Sequence, residues 1–214
     1  MDKKAMYKLS YGLFVLTARE AEKDNGCIIN TAIQAASTPN QLSICVNKAN
    51  YTHDMISRTG EFTVSIISQK ASFDLFKHFG FQSGKDVNKF DGVEAVVKEG
   101  ISVVADACSY LVCKVIDKME TATHTVFLGE VIAADVLKEE EPMTYAYYHK
   151  VVKGKSPKNA PTYIAEEEET VQKEEKWVCG ICGYEYRGEI PFEEVPEQFV
   201  CPVCKQPKSV FVKK

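Results

Sequence analysis

The sequence predicts a mainly β, barrel-like body joined to a small C-terminal module that folds around a metal ion. Three observations carry this. Strand-like segments outnumber helical ones and never settle into a regular βαβ alternation, which argues for a barrel and against a doubly wound sheet. The texture changes after Lys153, where KGKSPKNAPTY gives way to the charged run AEEEETVQKEEK at 165–176. Beyond that run, four of the chain's eight cysteines form two C-x-x-C pairs, at 179–182 and 201–204. The boundaries expected are a body at 1–156, a solvated linker at 157–175 and a module at 176–214. The body is long enough to bury its own core, whereas a tail of about 40 residues needs a metal or a similar brace.

The elements of the body follow in order. A short helix is expected over about residues 2–10. LFVLTARE (13–20) reads as a strand. EKDNG (22–26) reads as a hairpin turn, because Asn-Gly readily takes the positive φ angles of a tight turn. CIINTAIQAAS (27–37) and QLSICVN (41–47) read as the next two strands, joined by a turn built on Pro39. YTHDMISRTG (51–60) has helical apolar spacing and a glycine stop. EFTVSIIS (61–68) alternates as a strand, and SFDLFKHFG (72–80) is a second helix. Strands are expected again at about 101–106, 109–119 and 123–137.

Composition excludes several function classes. Hydrophobic residues make up 45% and charged residues 26%, an ordinary globular balance. A net charge of −4 offers no general attraction to nucleic acid or to acidic membranes. The N-terminal apolar run is too short for a signal peptide, and no run approaches the length of a membrane span. A cytoplasmic location is the expectation, and Cys27, Cys45, Cys108 and Cys113 are then buried thiols. There is no G-x-G-x-x-G after a strand, no P-loop and no nucleophile motif. His53, His78, His124 and His149 show no metal-ligand spacing and read as surface or structurally satisfied histidines.

Cys179, Cys182, Cys201 and Cys204 suit one tetrahedral ion, since each x-x spacing lets a tight turn aim two sulfurs at the same point. Spacing alone leaves iron and zinc open. The surroundings add more. C-G-I-C-G-Y-E-Y and C-P-V-C, followed by Lys208 and Phe211, resemble the rubredoxins over 176–214. The resemblance implies one iron held by four cysteines and cycling between ferric and ferrous, with apolar Ile181 and Val203 shielding it. One departure is plain: the stretch between the cysteine pairs is shorter than in free-standing rubredoxins.

An electron carrier needs a redox partner, so the body is expected to hold a cofactor. The segment 28–56 gathers polar side chains: Asn30, Thr31, Gln34, Ser37, Asn47, Lys48, Asn50 and Thr52. Thr52 lies near a helix start, where amides and the helix dipole favour an anion, and Lys48 adds charge. That suits a phosphate; a capped helix with incidental polar neighbours reads equally well. The pattern N-T-x-x-Q-x-x-S-x-P, then N-K-x-N-x-T-H, resembles the flavin-reductase-like family with its FMN-binding split β-barrel. The resemblance implies a homodimer with FMN near the interface. By that likeness Asn30, Thr31, Gln34 and Ser37 meet the isoalloxazine and ribityl parts, and Asn47, Lys48 and Thr52 hold the phosphate end, with Asn50 in the same motif. Cys45 and Val46 border the flavin through backbone atoms. Tyr148 and Lys155 form a second candidate patch, flanking the ring and reaching a phosphate; an aromatic cluster at the barrel end is the plainer reading.

Together the halves resemble the high-molecular-weight rubredoxins. That resemblance implies an oxidoreductase of the NAD(P)H:rubredoxin type, passing electrons from NAD(P)H through FMN to the four-cysteine iron. An external redox protein such as a flavodiiron oxygen or nitric oxide reductase would then receive them. No catalytic side chain is expected. Two alternatives stand beside it: a flavin reductase that releases reduced flavin, and a zinc-binding interaction protein.

Overall fold

Leu13, Val15, Leu16 and Ala18 are all buried, so the first strand is covered on both faces and shows no clean alternation. The computed structural model describes residues 3–152, 177–182, 184–186, 188 and 190–213. The chain forms two compact units, Met1–Tyr163 and Ile164–Lys214.

The first unit is mainly β. A short 3-10 helix at Lys3–Lys8 precedes β1 (Phe14–Glu20), β2 (Lys23–Ile29), β3 (Ala32–Ser37) and β4 (Asn40–Asn47). Helix α1 (Tyr51–Thr59), β5 (Glu61–Ile67) and α2 (Phe73–Gly80) follow. Then come β6 (Ala95–Lys98), β7 (Ile101–Val104) and two long strands, β8 (Ala107–Glu120) and β9 (His124–Val136). A short α3 (Tyr145–Tyr147) continues into a π-helical turn at Tyr148–Val152. One antiparallel sheet runs β2-β1-β5-β8-β9-β4-β3, and β6 and β7 pair separately. Two core clusters result. Val15, Phe76, Phe79, Val112 and Tyr148 belong to one; Leu16, Ile44, Val46, Phe62 and Phe127 belong to the other.

The helices end as their sequence dictates. Asn50 Oδ1 accepts from Thr52 N at 2.9 Å at the start of α1, and Gly60, at φ 72°, closes it by donating to Ile56 O at 2.9 Å. Ser72 Oγ accepts from Asp74 N at the start of α2. At its far end the buried Lys89 donates to the carbonyls of His78 (2.7 Å) and Phe79 (3.2 Å). No helix among the described residues is long and apolar enough to cross a membrane.

Three local expectations need correction. The hairpin turn lies at Ala21-Glu22, because β1 and β2 pair through Glu20 and Lys23, and Ala21 takes φ 52°. Asn25-Gly26 lies inside β2: Asn25 is buried, and a Cβ on Gly26 would come within 2.9 Å of the Phe79 ring. The single strand expected over 27–37 breaks at Asn30-Thr31 into β2 and β3, and β6 was not foreseen.

In the second unit β10 (Trp177–Cys179) pairs with β11 (Phe211–Lys213). Its core is Cys179, Phe192, Val195, Cys201 and Phe211, with Trp177, Tyr184, Tyr186 and Phe199 packed around it. Lys155 and the linker at 157–175 lie outside the described residues.

Candidate functional site

The two C-x-x-C turns bring four sulfurs together. The Sγ atoms of Cys179, Cys182, Cys201 and Cys204 all lie within 4.8 Å of one another. Cys179 and Cys204 stand 3.6 Å apart, and Cys182 and Cys201 3.5 Å. A tetrahedral ion with bonds of about 2.3 Å has edges of about 3.8 Å, so the set fits a single four-thiolate ion. The two turns are equivalent in their hydrogen bonds. Cys179 receives the N–H groups of Cys182 and Ile181, and Cys201 those of Cys204 and Val203. Cys182 and Cys204 each receive the N–H two residues on, from Tyr184 and Gln206. Burial opposes ionisation of Cys201, yet these amides and the neighbouring thiols bring it down to about 7. Cys179 and Cys201 are buried and Cys182 is exposed. Ile181 and Val203, the apolar residues inside the two C-x-x-C turns, are 67% and 64% exposed.

The polar segment of the first unit divides. Along β4, Leu42, Ile44 and Val46 enter the core, while Ser43, Cys45 and Asn47 line the opposite, half-buried face. Val46 therefore offers only its backbone to that face. Thr31 Oγ1 donates to Cys45 O at 2.7 Å and Cys45 N donates back to Thr31 O, tying the β2–β3 break to β4. Asn30 is buried beside it, whereas Gln34 and Ser37 are exposed on β3. Asn47 Oδ1 accepts from Ala49 N at 2.9 Å. Lys48 Nζ stands 2.8 Å from Glu120 Oε2 and donates to Thr121 O at 2.6 Å.

Thr52 turns inward. It is fully buried and accepts from Asn25 Nδ2 at 2.8 Å, so its hydroxyl belongs to the interior and Asn50 holds its amide. Tyr148 is 4% exposed and packs on Phe76, with centroids 4.7 Å apart, in the core cluster beneath α2. Burial pushes its phenol up. Tyr148 belongs to a different core cluster from Leu42, Ile44 and Val46 of β4.

Sequence reasoning passed over four neighbours. His53 Nε2 lies 2.8 Å from Thr125 Oγ1, and that hydroxyl donates to Glu120 Oε2 at 3.0 Å. His124 pairs across the sheet with Asn47 and is 8% exposed. Its Nδ1 meets Thr123 Oγ1 at 2.8 Å, and its buried Nε2 has no partner among the described residues. Burial first, and His53 second, lowers its pKa. A buried ring nitrogen left unpaired costs about 1–3 kcal/mol, and a ligand on this face would relieve it. Residue spacing held no signal for Glu120, Thr125 and His124, because strand pairing alone joins 120–125 to 47–53, whereas His53 stands within the N-K-x-N-x-T-H segment. The half-buried polar strip and the unpaired imidazole fit a planar, hydrogen-bonding cofactor. Burial raises the Cys27 thiol to about 11 and the Cys113 thiol to about 12, and it raises that of Cys45.

Comparison with known proteins agrees with both halves. The flavin reductase like domain family matches residues 6–156. The chain is 36% identical to the high molecular weight rubredoxin of Moorella thermoacetica, over 99% of each chain. It is 39% identical to a ferric-chelate reductase (NAD(P)H) of Archaeoglobus fulgidus, over 77% of this chain and 98% of that one. Among solved structures, an NADH:FAD oxidoreductase of Streptomyces globisporus matches with a TM-score of 0.61 and 27% identity, over 66% of this chain and 85% of that one. With a four-cysteine cluster following that domain, the chain belongs to the flavin reductase-like oxidoreductases, in the form that carries a rubredoxin-type module at its C-terminus.

Proposed function

We propose that the chain relays electrons from NAD(P)H, through FMN held by residues 1–156, to iron held by Cys179, Cys182, Cys201 and Cys204, and on to an external redox protein. A bound flavin accepts a hydride pair and releases electrons singly, which a one-electron iron site requires. The observation that carries the reading is the convergence of four sulfurs, with amides aimed at each, in the same chain as a flavin reductase-like domain. Amide donors stabilise the thiolates and leave little to rearrange when the charge on the site changes. The exposed edge at Cys182, bordered by Ile181 and Val203, is the exit toward an acceptor such as a flavodiiron protein.

In the body, Asn30, Thr31, Gln34 and Ser37 lie along the flavin ring and ribityl chain, Cys45 and Val46 border it, and Asn47 and Lys48 face the phosphate. Asn50 and Thr52 serve by fixing the start of α1. Ile33 and Met119, 68% and 61% exposed on β3 and β8, support a homodimer through the sheet's outer side. In sequence the charged stretch 157–175 lies between the two proposed cofactor units, and a cytosolic location would keep the thiols reduced.

The test is the visible spectrum of the purified chain. Flavin bands and thiolate-to-iron charge transfer, both bleached by NADH or NADPH, are expected. Bleaching of the flavin alone breaks the relay, and a colourless protein with stoichiometric zinc overturns the iron. A second reading, release of reduced flavin, is favoured by one observation: the β4 face is only half-buried, and its cation is already paired with Glu120. Flavin lost on desalting would establish it.

A further inference from the structure

We propose that Glu120 is a built-in competitor for the phosphate of the flavin, occupying the anion position offered by Lys48 and Thr125 until a phosphate displaces it. The inference rests on the flavin reading above.

One carboxylate oxygen carries the contact. Glu120 Oε2 is 2.8 Å from Lys48 Nζ and accepts from Thr125 Oγ1 at 3.0 Å. The Thr125 hydroxyl also lies 2.8 Å from His53 Nε2. The ring is held on its other side by Asp54, whose Oδ1 lies 3.2 Å from Nδ1. An ammonium and a hydroxyl backed by an imidazole thus converge on one oxygen, which is what a phosphate oxygen demands of its site. The same contacts, Lys48 first and Thr125 second, hold the Glu120 carboxyl below its usual range.

The two sides of the contact differ in how firmly they are built. Thr125 is fully buried on β9, and the His53 side chain is only 13% exposed. Glu120 is the last residue of β8, with its side chain 55% exposed. Thr125 is fixed and Lys48, 37% exposed, is tethered to Thr121 O at 2.6 Å, while the carboxylate has open solvent into which to swing. A phosphate monoester brings about −1.5 to −2 charges and three acceptor oxygens, against a single charge on the carboxylate, so it wins the position at a measurable cost in affinity. Glu120 would then set how tightly the chain retains a phosphorylated flavin, and with it the balance between relay and release.

The test uses the full chain stripped of flavin and titrated with FMN and with riboflavin, which lacks the phosphate, following flavin fluorescence. Glu120→Gln is expected to tighten FMN binding by about 2–5-fold, the worth of an exposed ion pair, and to leave riboflavin unchanged. Glu120→Asp, which keeps the charge but shortens the reach, is expected to tighten FMN as well. No change with Glu120→Gln, weaker FMN binding, or equal shifts for FMN and riboflavin overturn the proposal. So does tightening by Glu120→Gln without Glu120→Asp, which would report net charge and not contact. Lys48→Met separates the two readings. If it weakens FMN alone while both Glu120 variants do nothing, the phosphate position stands and the competitor falls; if it leaves FMN unchanged, both fall.

Discussion

The sulfurs of Cys182 and Cys201 stand 3.5 Å apart, each held by its own turn of backbone amides. Among the described residues this unit's only strand pair, β10 with β11, is three residues long. The small unit should therefore depend on its ion for folding. Trp177 is the chain's single tryptophan and stacks on Phe192, with centroids 4.7 Å apart, so its emission reports this unit alone. Removing the metal, or Cys201→Ser, is expected to red-shift Trp177 emission and abolish charge-transfer absorbance. The far-ultraviolet signal of the β body should remain.

Lys208 is the second brace of that unit. Its ammonium donates to Val195 O at 2.7 Å and lies 5.6 Å from the Phe192 centroid, with its side chain only 13% exposed. Lys208→Met keeps the stem but leaves the Val195 carbonyl without its charged donor. A loss of about 1–2 kcal/mol is expected, read as earlier unfolding of the Trp177 signal while the body's transition stays in place.

Glycine placement in the β1–β2 hairpin gives a paired prediction. Gly26→Ala drives a methyl to within 2.9 Å of the Phe79 ring and should cost about 1–3 kcal/mol. Ala21→Gly relieves a left-handed residue at φ 52° and should stabilise by up to about 1 kcal/mol. Denaturant midpoints of the two variants check the signs. If Asn25-Gly26 were the turn, Gly26→Ala would be the strained-turn variant and Ala21→Gly would lose stability.

That pair also shows where the sequence was legible. Apolar period and caps placed α1, α2 and most strands, because these signals act within a few residues. Asn25-Gly26 carries the same letters as a turn, but the reason for its glycine is Phe79, far along the chain. The four cysteines were readable because their turns are local and their partner spacing is fixed. Lys48 was found as a cation, whereas Glu120, Thr125 and His124 were not, since only the pairing of β8, β9 and β4 brings them to it. Thr52 was read as a phosphate contact from its helix position, yet its hydroxyl faces Asn25 in the interior.

Lys89 makes stability depend on alkaline pH. Its buried ammonium caps α2, and desolvation lowers its pKa from 10.5 to about 8, with Cys27 acting weakly the other way. Between those values the unfolded chain binds the proton that the folded chain has released. Stability therefore rises with pH from about 8, and the gain is complete near 10.5. Cys27, raised from 9.0 to about 11, has the opposite sign, because the unfolded thiol ionises first and stability falls across that window. The two overlap, so the wild-type curve alone does not separate them. Lys89→Met removes the rising component, leaving the decline that Cys27 sets in above about pH 9, and it also strips the His78 and Phe79 carbonyls of their donor at every pH. The measurement is urea unfolding of both proteins from pH 7 to 10.5. The gap between them should widen by about 1–3 kcal/mol across the window, and a constant gap would mean that Lys89 keeps its proton throughout.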